Sequence, residues 1–195
     1  MIRPMTATGL TVFDTAIGHC GLAWGGAGIV GVELPQGDAA RTLARMARRY
    51  PAASEAEPPA EVAAATQAIV SLMAGEPVDL TGVRLDLSGA PDFNLKVWEI
   101  ARTIPPGETL TYGDIARRLG DVSLSQQVGQ ALGRNPCPII VPCHRVLAAG
   151  GKTGGFSANG GVDTKLRMLT IEKARSDPAP SLFDDLPLAA KPHRA

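Results

Sequence analysis

Cys143 and His144 stand side by side in "PIIVPCHRV", residues 138–146, where an apolar run ends on a proline directly before the cysteine. A thiol next to an imidazole could do nucleophilic chemistry. A free cysteine has a pKa of about 8.5 and is mostly thiol at neutral pH, so it needs a base to take its proton and a third group to orient that base. Pro142 offers no backbone donor and fixes its own φ, which suits it to holding the next side chain still. Neighbours along a strand point to opposite faces, so the pair can exchange a proton only where the chain turns or a water bridges them. By itself the pair equally fits a buried structural cysteine beside a hydrogen-bonded histidine.

Cys20, Cys137 and Cys143 are odd in number and lack C-x-x-C spacing, which predicts neither a disulfide framework nor a four-cysteine zinc site and fits a reducing cytoplasm. His19 adjoins Cys20 without further ligands, so no metal is expected there, and Cys137 is expected to be a packed spectator. At 195 residues and 45% hydrophobic, the chain can fold alone as one large domain or two small ones. Residues 1–93 carry 6 Lys/Arg against 10 Asp/Glu, residues 94–173 carry 10 against 6, and the remainder cancel. The second segment is the one able to meet a polyanion, with modest nonspecific affinity, although ordinary solvated surface charge gives the same numbers. The opening "MIRPMTATGLTVFDTAIG" has no long apolar core, and no run nears the ~18 apolar residues of a membrane span, so neither a signal peptide nor membrane insertion is expected.

The elements that must position Cys143 read as α+β. "LTVFDTAIGHCGLAWGGAGIVGVEL" has short β-type runs broken by glycines and predicts a small antiparallel meander. Two helices follow: "DAARTLARMARRY", capped by Asp38, and "AEVAAATQAIVSLMAG", after Pro58-Pro59 and closed at Gly75. "VRLDLSG" alternates and predicts one more strand. From Phe93 the pattern becomes three short helices: "FNLKVWEIARTI", "TYGDIARRLG" capped by Thr111, and "SLSQQVGQALGRNP" starting at Ser123. A strand after them makes a helix-turn-helix plausible, and an ordinary helical bundle fits the same spacing. The expected division is 1–90 as an α+β structural domain, 91–173 as the chemical domain, and 174–195 as a Pro- and Asp-rich flexible tail.

"NPCPIIVPCHRVLAAGGKTGGFSANGG", followed by Lys165 and Glu172, resembles the active-site region of the O6-alkylguanine-DNA alkyltransferases, the methylated-DNA–protein-cysteine methyltransferases. The likeness runs from Phe93 to Glu172 and rests on Tyr112, "VGQALGRNP", "PCHRV" and "GGFS" occurring in order at compatible spacing. It implies a small RNase H-like N-terminal domain followed by a winged helix-turn-helix that enters the minor groove of double-stranded DNA. The damaged guanine is then flipped out, because its O6 cannot be reached inside the duplex. Carried over, Cys143 takes the alkyl group in an in-line displacement, His144 accepts its proton through a water, and Glu172 orients His144. Asn135 braces the turn, and Tyr112 crowds the phosphate and donates to the base. Pro138, the backbone at Val146, and Ser157 at O6 hold the base, while Arg145 is an internal contact. A thioether is not readily hydrolysed, so each molecule repairs one base and is consumed, with no cofactor and as a monomer. O4-alkylthymine is a second candidate substrate.

One position departs from the family. Its recognition helix usually carries an arginine that fills the hole left by the flipped base, and here Gln126 stands in that place. Ser123 to Gln126 has capping-box spacing, which predicts that Gln126 folds back onto the helix start. Gly129 and Ala131 fit either close approach to a groove or packing against another helix. A non-catalytic sensor of alkylated DNA, of the alkyltransferase-like type, is the alternative function; it would lack the acceptor cysteine, which is present here. A methylation-sensing regulator would need a four-cysteine metal site, and a generic thiol hydrolase would have no use for groove-binding helices.

Overall fold

The computed structural model describes residues 7–156 and 160–174. Its first half is the expected meander: β1 (Gly9–Thr15), β2 (Gly18–Gly25) and β3 (Gly28–Glu33) pair antiparallel, and the short β4 (Ser54–Glu55) adds parallel to β1, giving the order β3-β2-β1-β4. Alternation along the strands sends side chains to two faces. Leu10, Ala23 and Val30 face helix α1 (Ala39–Arg49) and pack on Met46 and Tyr50. Cys20, Leu22, Trp24, Ile29 and Val32 face the other way, onto α2 (Ala60–Met73) and the second half of the chain. A register shift at Ala23/Trp24 keeps both Ile29 and Val32 on that inner face.

α1 starts as read: the Asp38 side chain accepts from the Arg41 backbone N–H at 2.8 Å. α3 (Asp92–Arg102), α4 (Tyr112–Arg118) and α5 (Ser125–Gly133) follow, then α6 (Gly161–Ile171). Thr111 and Asp114 form a reciprocal capping box on α4, so Tyr112 sits at a fixed helix start. Val97, Trp98 and Ala101 of α3 are fully or nearly buried, and the Trp98 indole N–H donates to the Ala131 carbonyl of α5 at 2.9 Å. Two-residue strands β5 (Leu110–Thr111) and β6 (Val146–Leu147) pair parallel beside them.

A single core runs through both halves, joining Leu22 and Val32 to Val97, Trp98, Cys137 and Val146. Each such aliphatic side chain contributes about 1.5–3 kcal/mol by leaving water. The Val32 N–H also donates to the Pro136 carbonyl at 2.9 Å, which ties the end of β3 to the loop ahead of Cys143.

Two expectations are corrected. "VRLDLSG" is reduced to a single bridge between Leu85 and Ile29, because Asp79 and Asp86 take the backbone N–H groups of Thr81 and Ser88 into tight turns on both sides. Ser123 and Gln126 form no capping box. Asp121 accepts from the Ser123 N–H at 2.8 Å and starts a 3-10 turn, Val122–Leu124, so α5 begins only at Ser125 with Leu124 as an uncapped start. His19 and Cys20 point to opposite faces of β2, His19 pairing with Asp14 and Cys20 buried in the core, and no metal-binding group of three forms among the described residues. Beyond Ala174, the expected tail lies outside the described residues.

Candidate active site

The loop from Asn135 to Cys143 is folded against itself. Asn135 spans it, donating from Nδ2 to the Val141 carbonyl at 2.8 Å while Oδ1 accepts from the Cys137 N–H at 2.9 Å. Pro138 bridges to Val141, and Ile139 between them is fully buried at φ 74°. A β-branched residue in the left-handed region is strained and persists only where its surroundings over-determine it. Cys137 is buried and its thiol is pushed up to about 12 by burial, so it is inert.

Cys143 to Arg145 form a 3-10 turn after Pro142. That turn resolves the problem of opposite faces, since Cys143 and His144 no longer lie on a strand. The Cys143 thiol is half-buried and lines an open cavity of about 850 Å³. Burial holds it above the ordinary thiol value, with Asn135 and the Lys165 charge pulling the other way. Left alone, it is a protonated nucleophile.

His144 is fully buried, and its Nε2 lies 3.0 Å from Oε1 of Glu172. A carboxylate can only accept, so Nε2 carries the proton and Nδ1 carries the lone pair. Nδ1 is buried without a hydrogen-bond partner among the described residues. Burial lowers the His144 pKa against the opposing pull of Glu172, which keeps the ring neutral with its Nδ1 lone pair free. Arg145 grips the same carboxylate, from Nε to Oε2 and from a terminal nitrogen to Oε1, both at 2.8 Å, and donates to the Ile104 carbonyl at 2.6 Å. Burial alone would raise Glu172, but the bonds from His144 and Arg145 outweigh it and bring it down to about 2. Glu172 sits at the C-terminal end of α6, where a lone carboxylate is disfavoured, so Arg145 also neutralises that clash.

Lys165 received no role from the sequence, yet it is 0% exposed and donates from Nζ to the Val146 carbonyl at 2.6 Å. Burial brings its pKa down to about 8. The signal was its spacing: Lys165, Met168, Leu169 and Glu172 recur on one face of α6, the face that is buried. The Val146 carbonyl keeps a second lone pair for a ligand.

Tyr112 lines the cavity, half-buried, with its pKa raised by burial and then by Cys143. Gly154 lies so close that a Cβ there would come within 2.9 Å of the Tyr112 hydroxyl, and its φ of +66° also favours glycine. Gln126, Gly129 and Gln130 of α5, together with Pro138, line the same cavity. Gly129 lies beside the Tyr112 ring and faces the cavity, whereas Ala131 is 1% exposed with its carbonyl bound to Trp98 and packs in the core. Ala131 is therefore not a groove residue. Ser157 lies outside the described residues. Arg45 and Arg49, which the sequence reading did not place here, also line the cavity, as does Arg134, a candidate to stand in for the arginine missing at Gln126.

Residues 92–174 match the family described as the 6-O-methylguanine DNA methyltransferase, DNA binding domain. A methylated-DNA–protein-cysteine methyltransferase of Mycolicibacterium paratuberculosis is 41% identical over 128 residues, covering 66% of this chain and 75% of that protein. The chain belongs to the methylated-DNA–protein-cysteine methyltransferase family. The whole fold agrees with that membership: the crystal structure of Mycobacterium tuberculosis O6-methylguanine methyltransferase superposes with a TM-score of 0.69 at 34% identity, covering 88% of this chain and 96% of the other. The same mycobacterial protein in complex with DNA is equally similar, with a TM-score of 0.69. No described helix is long and apolar enough to cross a membrane.

Proposed function

We propose that this methyltransferase-family protein repairs O6-alkylguanine in double-stranded DNA by moving the alkyl group irreversibly to Cys143. The observation that carries this reading is a thiol on an open cavity, backed by a buried imidazole whose Nε2–H is fixed on a carboxylate and whose Nδ1 is left as a base. On this reading α4, α5 and the segment after β6 act as a winged helix-turn-helix in the minor groove. The RNase H-like first half, residues 1–90, supports the catalytic domain, residues 91–173, in a cytoplasmic monomer that needs no cofactor.

The extruded base enters the cavity between Tyr112, which donates to it, and Pro138, with the backbone at Val146 beneath; the family resemblance assigns O6 to Ser157, which lies outside the described residues. The Cys143 S–H proton passes to His144 Nδ1 through a water. The sulfur–carbon bond forms as the carbon–O6 bond breaks, and the released guanine takes a proton in return. O4-alkylthymine presents the same kind of leaving oxygen and is a second substrate. The sensor alternative is not favoured, because it has no use for an acceptor thiol with a base behind it.

Intact-protein mass after incubation with duplex DNA containing one O6-methylguanine tests the proposal, with Cys143→Ser in parallel. A gain of one methylene in the wild type alone is expected. A gain in both proteins, or in neither, overturns it.

A further inference from the structure

α5 carries no charge at all: Ser125–Gly133 reads SQQVGQALG. Neutralising phosphates dominates the affinity of proteins for DNA, so a helix without one cation leaves that task to other residues. On α4, Arg117 is already paired with Asp114, which leaves Arg118 as that helix's one exposed cation outside an ion pair among the described residues. Arg45 and Arg49 of α1 line the cavity that holds Cys143 together with α5, and Arg134 at the end of α5 lines it as well. Three guanidiniums there meet a single carboxylate, Glu33.

Arg45 and Arg49 are held in place. Glu33 is 7% exposed and accepts from Arg45 Nε at 2.8 Å and from a terminal nitrogen of Arg49 at 3.5 Å. The Arg49 guanidinium also lies 5.3 Å from the centre of the Tyr50 ring. Arg45 is bound through Nε alone, so the fork of its two terminal nitrogens has no partner among the described residues. An arginine held beforehand loses less freedom when it grips an anion, and its fork matches phosphate oxygens.

We infer that Arg45 and Arg49, with Arg134, grip the DNA backbone beside the nucleotide that enters the cavity and supply the positive charge that α5 lacks. The inference rests on the DNA-repair reading and goes beyond it, because it makes the first half of the chain part of the DNA interface. Arg45 and Arg49 belong to the half whose overall balance is acidic, which is why charge counted by segment hides them.

The test is the salt dependence of binding to an undamaged duplex, compared between the wild type and the double variant Arg45→Gln/Arg49→Gln. Each lost phosphate contact lowers the slope of log affinity against log salt by about 0.9, so a fall of about 1–2 is expected. The double variant leaves Glu33 buried without a cation, so the triple variant with Glu33→Gln is measured alongside and is expected to show the same fall. Alkyl transfer from free O6-benzylguanine, which has no phosphate, reports that the site is still assembled. An undiminished slope in the triple variant overturns the inference. Failure of the DNA-repair reading looks different: the wild type itself then neither binds nor repairs the duplex, and the inference falls with it.

Discussion

Glu172 shows how far one side chain can serve two purposes. It fixes the tautomer of His144 and it neutralises Arg145, and both neighbours are almost entirely out of water. Replacing it with glutamine keeps the shape but leaves Arg145 buried without a counter-charge, which costs about 3–5 kcal/mol at neutral pH. The carboxyl sits at about 2 in the fold against 4.5 as a free group, so its contribution is complete above pH ~4.5 and is lost as pH falls towards 2. Urea midpoints of the wild type and Glu172→Gln are therefore expected to differ most at pH 7, to differ by roughly half as much at pH 3, and to converge only as pH approaches about 2. A gap that stays constant between pH 7 and pH 3 would mean that Glu172 does not carry a depressed pKa. The roles of Cys143, His144 and Glu172 came from a resemblance, since no spacing rule brings residues 28 positions apart together. The 3-10 turn that reconciles Cys143 with His144 could be anticipated only as a condition, because a two-residue step leaves the choice between strand and turn to tertiary packing.

Among the elements, α5 is where local pattern misled. Ser123 and Gln126 have the spacing of a cap, but Asp121 competes for the Ser123 N–H and wins, because an ionised acceptor one turn earlier gives the stronger bond. Gln126 is thereby released from any structural duty and stands exposed on the cavity rim in the second position of the helix. Gln126→Arg gives α5 its one cation at the place the family usually has it. The helix dipole opposes a cation there by only about 0.3–1 kcal/mol, so the fold tolerates it. Repair of duplex O6-methylguanine is expected to speed up severalfold, and transfer from free O6-benzylguanine to change little. Equal changes on both substrates would show that Gln126 acts on the chemistry rather than on base extrusion. Strands and helix starts were otherwise legible where a residue signals its own role, as with Asp38 and Thr111. "VRLDLSG" alternates convincingly, yet flanking Asp turns that act over two residues defeat it.

At the scale of the molecule, the sequence suggests two units meeting near residue 90, whereas the packing shows one core that crosses that point. Period and punctuation report where elements begin and end; they do not report which hydrophobic faces find each other. Val32 bonds to Pro136, and Arg102 of α3 donates to the Leu80 and Val83 carbonyls at 3.2 and 2.8 Å, so the halves share hydrogen bonds as well as apolar contact. Chains of this length commonly populate intermediates, and two independent domains would unfold separately. A shared core predicts one transition instead. The chain has two tryptophans, Trp24 in the sheet and Trp98 in α3, both buried and one in each half. Trp24→Phe and Trp98→Phe therefore each leave a reporter on the opposite half. Each variant is less stable than the wild type, so the comparison is made within one protein, between its remaining tryptophan fluorescence and its far-ultraviolet circular dichroism in urea. Coincident midpoints in both variants are expected. If fluorescence from Trp98 held beyond the loss of helix and strand signal, or Trp24 gave way first, residues 91–173 would be a unit that stands without the sheet. The loop carrying Cys143 would then owe nothing to Val32.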